Sequence, residues 1–208
     1  MAFAGQVLSG FTFAHNSTYF FQKVGLSVNK IYQLNIGGSA MSLVAALFCW
    51  IIVMPLAGRR TTYLWGIGVM CLILYVIGGL AVVHDDDKIG MAQAILTLLW
   101  TFTYQISVGQ LGWAIPADVG STRLRQKTVC LARNAYTIAS IIAGVAQSYF
   151  MNPTALNLKG YTAFIWGTTA LAMLAWAWFR LPETKDRTYD ELDLLFAKGI
   201  SARKFKAS

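Results

Sequence analysis

The sequence predicts an all-α membrane protein with six transmembrane helices and a short amphipathic helix at its C-terminal end. Three observations carry this. First, 56% of the 208 residues are hydrophobic and only 12% are charged, where a soluble domain carries roughly 25% charged residues; mean hydropathy is +0.53. Second, the charges are not spread over the chain. They lie between six uncharged runs at 1–22, 31–58, 61–84, 89–117, 134–158 and 160–179. Each run is long enough for a helix across a hydrocarbon layer, which takes about 20 residues. Third, the runs are continuously apolar rather than alternating. That excludes the ~10-residue alternating strands of a membrane barrel and favours helices, which satisfy their own backbone in lipid. Buried helices of a large soluble core would need more polar faces than these runs offer.

In order, the first span covers residues 1–21 and holds Gln6, Thr12, His15, Asn16, Ser17 and Thr18. The second covers 33–56, and a short basic loop, AGRRTT, leads to the third at 63–83. The fourth covers 91–115 and is interrupted by GQLGWAIP at 109–116. A longer basic loop, DVGSTRLRQK, precedes the fifth at 129–150, and the sixth covers 161–179. Trp176 and Trp178 sit near its end, as interfacial aromatic belts do. Arg180 can extend to headgroups, and Pro182 ends the helix or starts the next segment. The abrupt change of polarity at FRLPETKDR is therefore a bilayer exit. It divides the chain into a helical bundle, 1–180, and a tail, 181–208. In the tail Tyr189, Leu192, Leu195 and Phe196 recur at helical spacing with acids between them, which predicts an amphipathic helix.

Six spans sort the loops onto two sides. One carries 13 of the 17 basic residues, including Arg59, Arg60, Arg123, Arg125, Arg133, Arg180 and Arg187; the other carries Lys23, Lys30, Lys88 and Lys159. The positive-inside rule puts the richer side and both termini in the cytoplasm, with HDDDK and NPTALNLK outside. The net charge of +8 thus reflects orientation, and no nucleic-acid partner is expected. Cys49, Cys71 and Cys130 are scattered, so neither a disulfide framework nor a metal site is expected. No basic stretch precedes the first apolar run, as a cleavable signal peptide would require. No catalytic constellation appears, so neither an enzyme nor a cofactor is expected. The Asn16-Ser17-Thr18 glycosylation triplet lies within a span.

Two patterns point to a ligand. Gly109, Gly112 and Pro116 interrupt the fourth span, with Trp113 between them; interrupted spans mark transporter sites, although an ordinary kinked helix reads the same way. Gln6, Asn16, Gln105, Gln110, Asn134 and Gln147 place amides inside spans. They line a polar path or bond between helices. Amides both donate and accept, which suits an uncharged, hydroxyl-rich ligand. His15, the one titratable candidate deep in a span, reads more readily as a packing residue than as a proton relay.

Three segments, GRRTTYLWG, STRLRQKTVCLARN and LPETKDRTYDELDLLF, resemble the signatures of the sugar porter family of the major facilitator superfamily. STYFFQKVGLS, NPTALNLKG and the tail more closely resemble its fungal maltose and general α-glucoside permeases. The resemblance covers the whole chain and matches helices seven to twelve. It implies one half of a twelve-helix fold, a missing N-terminal six-helix half, and no transport by these 208 residues alone. It also implies a small-molecule sugar as substrate, protons as a possible coupled ion, and a multi-pass location in the plasma membrane. A truncated, non-transporting product and a sugar-sensing or interaction membrane protein are the other readings.

Residue by residue, the resemblance implies a sugar-binding set of Gln6, Thr12, Asn16, Trp113, Asn134 and Tyr136. Gln6 falls on the first of two glutamines of helix seven; Val7 replaces the second, and Thr12 stands at a later asparagine. Trp113 falls on the helix-ten tryptophan that stacks near sugar, while Gln110 replaces a proline. Tyr136 lies near the helix-eleven asparagine, and Asn134 is two residues earlier. Because the hexose contacts are incompletely kept, an α-glucoside is expected. The resemblance also implies a cytoplasmic gating network of Arg59, Arg60, Asp118, Arg123, Arg125, Glu183 and Arg187. Asp118 replaces the usual glutamate, and Asp186 stands where glycine is usual.

Overall fold

The computed structural model describes residues 3–15, 27–56, 58–83, 87–119, 125–152, 156 and 158–181. Asn16, Arg123, Glu183, Arg187 and the amphipathic tail lie outside them. Helix α1 comprises a π-helical turn, Val7–Phe11, followed by Thr12–His15. Helix α2 is Val28–Phe48, continued through a second π-helical turn, Cys49–Val53, and Met54–Leu56. Then come α3 (Arg59–Val83), α4 (Asp87–Ile106), α5 (Val108–Val119), α6 (Arg125–Met151) and α7 (Thr162–Arg180), the last entered by a 3-10 turn at Lys159–Tyr161. No strand occurs among the described residues.

Four stretches are long and apolar enough to cross a membrane: Val28–Leu56, Arg59–Val82, Gln126–Met151 and Thr162–Arg180. They bear out four of the expected spans. The fourth expected span, 91–115, is divided between α4 and α5. The division is slight, because helical bonding runs through it: Ser107 N–H donates to Thr103 O at 3.1 Å and Leu111 N–H donates to Ser107 O at 3.1 Å. Ser107 also turns its hydroxyl back onto Thr103 O at 2.6 Å, the kind of local bond that bends helices.

Helix α3 is the spine of the bundle. Tyr63, Ile67, Met70, Leu74 and Ile77 recur at helical spacing and are fully buried. Its main partners are α7 and α4. Lipid chains are as apolar as leucine, so close van der Waals fit rather than escape from water must hold such helices together. The contact face of α7 accordingly uses small residues, Ala163, Gly167, Ala170 and Ala177. Helices α2 and α6 differ: only 11% and 6% of their apolar windows are buried, against 44% for α3. Leu43, Leu47 and Trp50 on α2, and Leu131, Ile138 and Ile142 on α6, are exposed.

Helix α1 does not run unbroken as its apolar run suggests. Gly10 has φ 99° and ψ 16° inside the π-helical turn, a left-handed conformation that costs other residues roughly 1–2 kcal/mol. It is also crowded, since a Cβ there would meet Leu74 Cδ1 at 3.1 Å and Trp100 Cζ2 at 3.5 Å. Gly10→Ala is expected to lower stability by about 1–2 kcal/mol, read as a drop in the thermal unfolding midpoint in detergent. An unchanged midpoint would show that the break is not required.

Candidate functional site

The two interrupted helices meet. Gln6, immediately before the π-helical turn of α1, is 2% exposed. Its amide Nε2 donates to Val108 O at 3.1 Å and Gly109 O at 3.0 Å, at the start of α5. Two residues earlier, Ile106 O accepts from Cys49 Sγ at 2.9 Å, from the π-helical turn of α2. The α4–α5 junction is therefore where α1 and α2 both donate to its backbone. Gly112 makes room for this: a Cβ on it would fall on the Gln6 side chain.

Phe3, which the sequence did not single out, joins three of the expected residues. Its ring packs edge-to-face with Trp113 and Tyr136, with centroids 4.6 Å and 5.3 Å apart, and its carbonyl accepts from the Gln6 N–H at 3.3 Å. Trp113 is half-exposed, and the Arg133 guanidinium lies over its ring at 5.0 Å, a favourable cation–π placement. Asn134 is exposed and two residues from Tyr136 on α6, so the two side chains leave the helix on different sides. Thr12 is buried on the far side of the Gly10 break. Gln6, Trp113 and Tyr136 thus form one cluster through Phe3, and Thr12 and Asn134 lie apart from it.

Beyond the break lies a cavity of about 280 Å³ between α1, α2 and α4. Tyr104 stacks on Trp100 at 5.3 Å and 10°, with Phe11 at 5.3 Å on Tyr104. Gln105, one of the amides read from the sequence, lines it too. Gln147 instead bonds between helices: its Oε1 accepts from Trp166 Nε1 at 2.6 Å. Of the expected gating residues, Arg60 reaches the end of α7, where its Nη2 donates to Trp178 O at 2.9 Å. Arg59 opens α3. For Asp118 and Arg125 only the backbone, in α5 and α6, is described. Among the described residues no metal-ligating cluster occurs.

The sequence profile described as Sugar (and other) transporter matches residues 1–196. The chain belongs to that family. A maltose permease of Saccharomyces cerevisiae is 32% identical over 208 residues, which is 100% of this chain and 34% of that permease. An alpha-glucosides permease of the same yeast is 31% identical over 209 residues, again 100% of this chain and 34% of the relative. A general alpha-glucoside permease is 31% identical over 205 residues, 99% of this chain and 32% of its own length. The chain thus spans about a third of the length of the curated relatives it matches. Family membership and the four apolar helices together make it a multi-pass integral membrane protein.

What sequence reasoning missed was local. Gly10 carried no signal beyond being a glycine in an apolar run. Phe3 read as one apolar residue among many. Arg133 read only as one charge of the basic side, whereas α6 begins at Arg125 and places it about two turns into the helix.

Proposed function

We propose that this bundle is the C-terminal half of a proton-coupled α-glucoside permease that works by alternating access. The observation that carries this is the bonding of the interrupted helix α1, broken at Gly10, to the α4–α5 backbone through Gln6. A discontinuous helix is a usual part of the frame of a transporter's substrate site. Six spans follow if α1 is extended by its flanking apolar residues and α4–α5 counts as one. Exposed apolar faces on α2 and α6 suit cover by a second, N-terminal six-helix half. The sugar would lie against Gln6, Trp113 and Tyr136, and the permeases that the chain resembles favour a maltose-like α-glucoside over a hexose. Arg59, Arg60, Asp118, Arg123, Arg125, Glu183 and Arg187 would clamp the cytoplasmic face; the bond from Arg60 to the end of α7 supports this. The charge asymmetry puts both termini in the cytoplasm, and the plasma membrane is the expected site.

The test is radiolabelled maltose uptake by cells that lack maltose transport and express this bundle joined to the N-terminal half of a permease. Uptake is expected to be competed by other α-glucosides, not by hexoses, and to collapse when an uncoupler dissipates the proton gradient. Absence of maltose uptake would overturn the α-glucoside reading, and persistence under the uncoupler would overturn proton coupling. The 208 residues alone, reconstituted in liposomes, are expected to give no uptake, because one bundle cannot close a two-sided path.

A further inference from the structure

The cluster around Trp113 holds a positive charge that the expected sugar-binding set did not include. Arg133 stands on α6, whose first residue is Arg125, about two turns or roughly 12 Å into the helix. Ionisable side chains inside membrane-spanning helices are costly and mark functional places. Here the guanidinium lies against an aromatic face, with its Cζ 5.0 Å from the centroid of the Trp113 ring. Tyr136 follows three residues later, on the same side of α6, and joins the cluster through Phe3.

The surroundings of the indole differ in access. Phe3 packs edge-to-face with Trp113, with centroids 4.6 Å apart, and is 2% exposed, so it closes the side toward the core. Arg133 is exposed and Trp113 is 49% exposed, so the guanidinium covers the side that a ligand can reach. A sugar ring stacked on an indole brings its carbons to about 3.5–4.0 Å from the ring. That is inside the 5.0 Å at which the Arg133 Cζ now lies, and one face cannot hold both. The contact is weak enough to be displaced, since an exposed cation–π pair shifts an equilibrium by about two- to fivefold. The flexible arginine stem lets the charged head swing clear while α6 stays in place.

Resting on the reading that a sugar lies against Trp113, we infer that Arg133 competes with the sugar for the indole face. In the empty site the guanidinium occupies the face, and the sugar binds by displacing it. Arg133 is thus an affinity-setting residue that acts through Trp113. It lowers the affinity of the site, where a residue in direct contact with the sugar would raise it.

The experiment measures the equilibrium Kd for maltose by titration calorimetry. It uses the bundle joined to the N-terminal half of a permease, purified in detergent. Arg133→Gln is expected to tighten maltose binding by about two- to fivefold, because the face no longer has to be vacated. Arg133→Lys, which keeps a cation for the ring, should stay within about twofold of the unsubstituted protein. In a Trp113→Leu background there is no ring face to contest, so Arg133→Gln should bring no gain. That non-additivity separates competition at the ring from a general effect of the charge. Unchanged or weaker binding by Arg133→Gln overturns the inference, whatever the Trp113→Leu background shows. Unchanged binding would mean that the sugar does not use this face, and weaker binding would make Arg133 a sugar contact. An equal gain in both backgrounds overturns it as well. Absence of maltose binding by the unsubstituted protein defeats the sugar-site reading beneath it too.

Discussion

Gly112→Ala is expected to cost both the site and the fold. The added Cβ would fall where the Gln6 amide now lies, and the flexible Gln6 side chain can swing away. In doing so it gives up its bonds to Val108 O and Gly109 O. Interhelical hydrogen bonds in membrane proteins are worth about 0.6 kcal/mol on average and up to about 1.7, so losing two costs roughly 1–3 kcal/mol. Sugar binding should fall with the same substitution, because Gln6 no longer sits where the sugar would meet it. The decisive comparison is a double-mutant cycle with Gln6→Ala. If Gly112 matters only as room for Gln6, the glycine substitution costs little once the glutamine is gone, and the two effects are strongly non-additive. Additive losses would mean that Gly112 serves helix packing by itself.

Gly66→Val is expected to act on the fold. A Cβ on Gly66 would collide with the Oγ and Cβ of Ser107, and it would stand 3.6 Å from the Ser107 Cα. The Cβ of Ser107 cannot rotate out of the way, since the backbone sets its position, so α3 and the α4–α5 junction would have to separate. Forced overpacking costs about 1–3 kcal/mol and sometimes more, and here it falls on the spine helix. Two residues along, Gly68 has nothing within 4 Å of a built Cβ. Gly68→Val should therefore stay within about 0.5 kcal/mol, as exposed substitutions do. Unfolding midpoints in detergent, measured side by side, test the pair. Equal losses at both positions would show that helix propensity rather than contact with Ser107 sets the cost.

Much of the architecture was legible before any coordinate. Uncharged runs of the right length located the four long apolar helices because the hydrocarbon layer imposes a local rule, about 20 apolar residues per crossing. The interruption expected at GQLGWAIP is not found there, since residues 109–116 run helically within α5. The irregularity falls at Ser107, before the glycines, where a serine hydroxyl turns back onto its own helix. The break in α1 was not legible, because a glycine in an apolar run is as compatible with an intact packing helix as with a left-handed kink.

Residue chemistry alone determined the class, the helical stretches, the family signatures and the list of amides that must find partners in a nonpolar setting. Only the tertiary structure decided which partners they found. Gln6 bonds a backbone 102 residues away, Gln147 holds Trp166 across two helices, and the buried Trp100 indole N–H finds no partner. The reason lies in the range of the forces. Lipid exclusion and helical hydrogen bonding act within a segment, so composition and spacing express them. The meeting of helices depends on the close fit of small residues from distant segments, such as Gly66 against Ser107 and Gly112 against Gln6, and that fit exists only once the helices are packed.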